Sequence, residues 1–76
     1  MKELIKRIAQ ALVDNPEQVE VSEVVSEHIS VIELRVAKGD MGKVIGKQGR
    51  NAEAIRTILS AASAKVHKKT IMEILD

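Results

Sequence analysis

The sequence predicts an α+β fold in the order helix, strand, strand, short helix, turn, helix, strand, with the helices covering one face of a three-stranded sheet. Three observations carry this expectation. Apolar residues recur at helical spacing in two stretches, one near the N-terminus and one following residue 50. Apolar and polar residues alternate in three short runs. A glycine-bounded basic turn, Gly46-Lys47-Gln48-Gly49, sits where two helical stretches meet.

In the first stretch, Leu4, Ile5, Ile8, Ala9 and Leu12 predict a helix over roughly residues 2 to 13. Asn15-Pro16 stops it, because proline disfavours the helical region for the residue before it. Val19 and Val21 alternate with Gln18, Glu20 and Ser22 as in a half-buried strand, and Val24-Val25 breaks the alternation as a bulge would. Ile32, Leu34 and Val36 alternate with Glu33 and Arg35 in a second strand, joined to the first through Ser26-Glu27-His28. Lys38-Gly39-Asp40 ends that strand, and Asp40 is placed to N-cap a short helix from Met41 to Ile45 that Gly46 terminates. From Arg50 or Asn51 to about Ala64, Ala52, Ile55, Ile58, Leu59 and Ala62 define an apolar helix face, with Ala54, Ala61 and Ala62 small enough for close packing on a sheet. Val66, Thr70, Met72 and Ile74 share one parity of a final strand.

At 76 residues, with no repeat, linker or low-complexity stretch, the chain is expected to be one domain spanning residues 1–76. It contains no cysteine, which excludes a disulfide framework, a thiolate metal site and a cysteine nucleophile. The opening Met1-Lys2-Glu3-Leu4-Ile5-Lys6-Arg7 interleaves charged with apolar residues, so neither a signal-peptide core nor a membrane span is expected, and a cytoplasmic location is. Phe, Tyr and Trp are absent, which argues against single-strand binders that stack bases on exposed aromatics. The net charge of +1 conceals an asymmetry. Residues 1–37 carry −3 and residues 38–76 carry +4, so a polyanion footprint belongs on the C-terminal half.

The most informative segment runs from Val44 to Arg56, where the glycine turn opens directly into a helix. Glycines three apart allow positive φ and let main-chain N–H groups approach a ligand closely. The following helix points its unpaired N–H groups and positive dipole end at the turn, and Lys47 and Arg50 add charge. A phosphate suits such a place. The spacing alone is a weak signal, since Gly39-Asp40-Met41-Gly42 also matches it, but there an acid opposes phosphate. Gly42 reads better as a small residue for helix packing. Context favours Gly46-Lys47-Gln48-Gly49, which has Lys43 and Arg50 on either side. A P-loop is excluded, because the GK[ST] sequence and its preceding strand are missing.

Val44 through Arg56, with the αββααβ order around it, resembles the KH domain of the bacterial type II form. The whole length is similar to the small single-KH proteins of the KhpA family. The resemblance implies that the GxxG turn holds the sugar-phosphate backbone of about four single-stranded nucleotides beside a groove with an aliphatic floor. Carried onto this chain, Gly46, Lys47, Gln48 and Gly49 form the clamp. Lys43, Val44 and Ile45 lead into it, Arg50 opens the next helix, and Arg56 lies further along that helix as an RNA contact. The resemblance also implies self-association, as a homodimer, a heterodimer with a larger KhpB-type partner, or both, and a role as an RNA chaperone or post-transcriptional regulator. Groove residues near Lys65 to Lys69 follow from the fold resemblance alone.

The function expected is therefore single-stranded RNA binding without chemistry, cofactor or metal. The two histidines lie far apart and in no metal-ligand spacing, and His67, among lysines, reads as solvated. The serines lack a nucleophile-elbow context, and the acids are scattered. Single-stranded DNA is an open alternative ligand, because a clamp on phosphates does not read the 2′-OH. The competing reading is a protein-interaction subunit of a KhpA/KhpB-type complex whose RNA contact is weak or dispensable. Val31, Ile71 and Leu75 are candidates for a dimer surface.

Overall fold

A computed structural model describes residues 1–76. Helix α1 spans Lys2–Leu12, strands β1 and β2 span Glu20–Val25 and Ile29–Arg35, helices α2 and α3 span Met41–Ile45 and Arg50–Lys65, and strand β3 spans Lys69–Leu75. The αββααβ order and the α+β class are as the sequence predicts. Single 3-10 turns occupy Pro16–Gln18, Lys38–Asp40 and Lys47–Gly49.

The sheet order is β1-β2-β3, with β1 antiparallel and β3 parallel to β2. Alternation assigns the faces. Ser30, Ile32 and Leu34 of β2 are buried beneath the helices, as is Met72 of β3, while Val31 and Glu33 turn to the opposite, uncovered face. The core consists of Ile5 and Ala9 from α1, Val19, Ile32, Leu34 and Val36 from the strand region, Val44 from α2, Ile55 and Leu59 from α3, and Met72. No aromatic ring fills it. Its stability comes from many aliphatic side chains, each contributing about 1.5–3 kcal/mol on full burial.

Five local expectations are corrected. The register between β1 and β2 runs without interruption from Glu20↔Arg35 to Val25↔Ser30, so there is no bulge at Val24-Val25. The alternation fails there because Val24 faces the uncovered side of the sheet beside Val31, while Val25, on the helix side, is only partly covered, leaving them 63% and 57% exposed. The buried stripe of α3 is Ala52, Ile55, Leu59 and Ser63, whereas Ala54, Ile58 and Ala61 face solvent. Ser63 is tolerated inside because its hydroxyl hydrogen-bonds that of Thr70 across to β3.

The last strand starts at Lys69 and not near Val66, which is exposed. Between them His67 adopts φ +56° and closes the helix end, with the Lys68 N–H donating to the Ser63 carbonyl at 3.2 Å. Gly42 is not a packing glycine, since a Cβ there would meet nothing within 4 Å.

Asp40 occupies the N-cap position of α2, but its carboxylate does not cap that helix. It is 2% exposed and turns toward the end of α1, accepting hydrogen bonds from the Asn15 side-chain amide at 3.1 Å and from the Asn15 and Asp14 backbone N–H groups at 3.0 and 3.3 Å. It thereby ties the α1–β1 connection to the root of α2. Burial by itself pushes the Asp40 carboxyl up, but these hydrogen bonds and the nearby Lys43 cation outweigh it and hold its pKa below the usual aspartate value.

Candidate nucleic-acid interface

The turn between α2 and α3 is built from three positive-φ residues: Gly46 at +79°, Gln48 at +58° and Gly49 at +74°. Helix α2 ends as the Gly46 N–H donates to the Gly42 carbonyl at 2.9 Å, and the turn closes as the Gly49 N–H donates to the Gly46 carbonyl at 3.1 Å. Gly46 and Gly49 play different parts. A Cβ on Gly46 would lie 2.8 Å from the backbone nitrogen of Asn51 and 2.6 Å from its Cγ, so only glycine fits where the turn crosses the start of α3. Gly49 has open space around it and is required by its left-handed backbone alone.

Asn51 completes the lock. Its side-chain amide donates to the Lys43 carbonyl at 2.9 Å, bridging the last turn of α2 to the first turn of α3. The two helices therefore hold the turn from both sides, and Lys47, Gln48 and Arg50 project into solvent. The Arg50 guanidinium leans on the Gln48 side-chain oxygen at 3.4 Å. Helix α3 has no side-chain cap, so its first-turn N–H groups face the turn without a protein acceptor of that kind. Left-handed residues at a helix N-terminus make a concavity of main-chain donors suited to an anion.

The four remaining predicted site residues lie in four different settings. Val44 is fully buried, and its role is to anchor α2 in the core. Ile45 is 37% exposed beside the turn. Lys43 carries its charge toward the protein, with Nζ 2.9 Å from Asp14 and 3.8 Å from Asp40. The hydrogen bond and charge of Asp14 raise the Lys43 pKa above its usual value. This pair is substantially exposed, so it is weakly held.

Arg56 lies farther along α3 and donates to the Met72 carbonyl of β3 at 3.4 Å. It sits at a groove of about 220 Å³ bounded by Leu59, Ser60, Thr70, Ile71 and Met72. The wall beyond it is β3, whose outer edge pairs with no other strand. The groove thus combines apolar side chains with main-chain donors and acceptors. A separate cleft on the opposite face, between Glu20, Glu33 and Arg35, bears two acids that oppose phosphate.

Sequence reasoning did not identify Asn51 or Asp40 as organising residues. Asn51 carries a readable signal, a short amide two residues after the second glycine, where it can reach back across the turn. Asp40 carries none, since its partners are some 25 residues away in sequence.

Comparison with known proteins shows the family of the chain. The family model described as KhpA/KhpB, KH domain matches residues 2–74. A protein named RNA-binding protein KhpA from Caldanaerobacter subterraneus subsp. tengcongensis is 59% identical over 75 residues, covering 99% of this chain and 100% of that protein. Its namesake in Clostridium perfringens is 56% identical with the same coverage. Another in Aquifex aeolicus is 49% identical over 76 residues, covering 100% of this chain and 96% of that protein. No solved structure matches. These names describe RNA binders and not enzymes, in agreement with the lack of a catalytic set in the sequence. The chain belongs to the KhpA/KhpB KH-domain family.

Proposed function

We propose that this chain is a single KH domain over residues 1–76 that binds single-stranded RNA through its glycine turn. The observation that carries the reading is the turn itself: three positive-φ residues out of four, exposed Lys47, Gln48 and Arg50, and an uncapped helix start behind them. The backbone of the nucleic acid lies against Gly46, Lys47, Gln48 and Gly49, with Ile45 and Arg50 beside it. Its bases enter the groove at Arg56. Val44 acts from the core, and Lys43 contributes when phosphate displaces Asp14. The relatives' printed name, RNA-binding protein, supports this ligand class.

No step of chemistry is assigned to the chain. Its role is that of an RNA chaperone or post-transcriptional regulator in the cytoplasm. A clamp this small makes few phosphate contacts, so useful occupancy calls for a second copy or a KhpB-type partner to raise the effective concentration. The second reading, an interaction subunit with dispensable RNA contact, is favoured by one observation: the ion pair that draws Lys43 away from ligand.

The test is fluorescence anisotropy of a labelled mixed-sequence single-stranded RNA, titrated with wild type and with Lys47→Asp/Gln48→Asp after circular dichroism confirms that both fold. Asp tolerates the left-handed backbone of position 48. Wild-type affinity should fall with salt at a log-log slope of about −1.5 to −2, corresponding to two or three phosphates. The variant should lose binding. A single-stranded DNA of the same sequence, run in parallel, reports on 2′-OH discrimination. Folded wild type that binds no RNA at high protein concentration would transfer the assignment to the interaction subunit.

A further inference from the structure

The helices do not close over the whole inner face of the sheet. Among the strand residues that register turns toward them, only Glu23 is charged. At that end of the face, between the start of α1 and the end of α3, lies a cleft of about 240 Å³. Its walls are apolar, formed by Met1, Val25, Ala62 and Val66, and both valines remain largely exposed there. Its floor is polar, formed by Thr70 and by Ser30 and Ser63, which are only 4% and 5% exposed.

The floor leaves one strong acceptor free. Ser63 and Thr70 satisfy each other, hydroxyl to hydroxyl. The Ser30 hydroxyl donates to the Glu23 carboxylate at 2.6 Å, which fixes that carboxylate against the floor and uses one of its several lone pairs. Half-buried Lys68 borders the same cleft. Neither Glu23 nor Lys68 belongs to any ion pair of the chain. The cleft therefore offers an acceptor pair, apolar walls and a cation to one small occupant, below the roughly 300 Å³ at which drug-sized sites begin.

An ionised carboxylate only accepts hydrogen bonds, and its two oxygens match two parallel N–H donors. Guanine carries such a pair on its Watson–Crick edge, N1–H beside the N2 amino group. Adenine, cytosine and uracil place a ring nitrogen or carbonyl acceptor beside their donor, which a carboxylate repels. Apolar side chains suit the faces of a base, and a lysine suits its phosphate. We propose that this cleft is a second nucleotide site, selective for a guanine nucleotide, with the base between Val25 and Val66, its N1–H and N2–H on the Glu23 carboxylate and its phosphate on Lys68. Ala62, in its wall, lies about 18 Å along α3 from Arg50, so the cleft and the glycine turn can be occupied together. The site does not depend on RNA contact at the turn. The guanine comes from a free mononucleotide or from a guanosine within RNA, which present the same edge.

The test is an NMR titration of the ¹⁵N-labelled chain with GMP, AMP and guanosine, following the amide signals of Val25, Ser30, Ser63 and Lys68, with circular dichroism checking the fold of each variant. GMP should shift these signals saturably and bind roughly tenfold or more tightly than AMP, the discrimination of one bidentate base contact. Glu23→Gln keeps an acceptor for Ser30 but sets an amide N–H against guanine, and should lose that preference. Lys68→Gln should lower GMP to the affinity of guanosine and leave guanosine unchanged. Lys47→Asp/Gln48→Asp should bind GMP like wild type, which separates this site from the glycine turn. In that variant, a short single-stranded RNA with one guanosine is compared with its adenosine counterpart: cleft shifts with the guanosine oligomer assign the site to RNA, and shifts with GMP alone assign it to the free nucleotide. Cleft signals that stay still at millimolar GMP, or respond equally to AMP, would overturn the proposal, as would shifts confined to the glycine turn.

Discussion

Replacing Gly46 by alanine should damage this protein far more than the same change at Gly49, although both glycines have positive φ and both belong to one turn. At Gly46 three costs combine. The backbone at φ +79°, ψ 171° lies in a region that is essentially glycine-only and costs an alanine about 1–3 kcal/mol. The new Cβ would stand 2.8 Å from the Asn51 backbone nitrogen, and that atom cannot swing aside without moving the first turn of α3. The Asn51 amide, also in the way, would surrender its bond to the Lys43 carbonyl, worth about 1 kcal/mol. Together these predict a loss of about 3–5 kcal/mol, a large share of the roughly 4–11 kcal/mol expected for a domain of this size.

At Gly49 only the left-handed backbone matters, about 1–2 kcal/mol. At Gly42, helical and with nothing near its Cβ position, alanine should stabilise by about 0.5–1 kcal/mol. Without Trp or Tyr, the assay is urea unfolding followed by circular dichroism at 222 nm. With a slope of about 1 kcal/mol per molar urea, the Gly46 variant should unfold about 3 M or more earlier than wild type. In Gly46→Ala/Asn51→Ala only part should return, because Asn51 Cβ and N, both at 2.8 Å, remain in place. A Gly46→Ala midpoint within about 1 M of that of Gly49→Ala would refute the close-approach argument.

Other consequences can be measured with the same probe. The pKa of Asp40 is lowered in the folded state, so its contribution is present above the ordinary aspartate value of 3.8 and is lost as pH falls through the lowered folded value; urea midpoints should drop on the acid side, and Asp40→Asn should flatten that drop while lowering the midpoint at pH 7. Lys43 acts in the opposite sense: its raised pKa gives a contribution held below 10.5 and lost as pH rises through the folded value, so Lys43→Met should remove that part of the alkaline decline. His67→Gly should raise the melting temperature by several degrees, about 1 kcal/mol, because glycine closes the end of α3 without the left-handed penalty; a lower melting temperature would argue against that strain.

Much of the architecture is legible before any coordinates, because two periodicities describe it: helical spacing in Ile5, Ala9, Ile55 and Leu59, and alternation in Ile32, Leu34 and Met72, all of which are core residues. The errors lie where burial depends on what covers an element. Val24-Val25 resembled a bulge because an apolar residue, Val24, sits on the uncovered face of the sheet, and Ile58 resembled a core residue because one-dimensional spacing cannot tell which of two adjacent apolar positions faces the sheet. Among the site residues, Lys47, Gln48 and Arg50 are exposed at the turn. Lys43, by contrast, is drawn toward Asp14, 29 positions away in sequence.

By itself the sequence determined the order of elements, the aliphatic core and the glycine turn at the head of a helix, since each depends on residues within one or two helical turns of one another. Only the tertiary structure decided which glycine is sterically irreplaceable, where the Asp40 carboxylate is used, and how Val24, Val31, Ile71, Lys69 and Glu73 come to share one face. Those outcomes depend on strand register and on the approach of chain segments far apart in sequence, which local propensity does not encode.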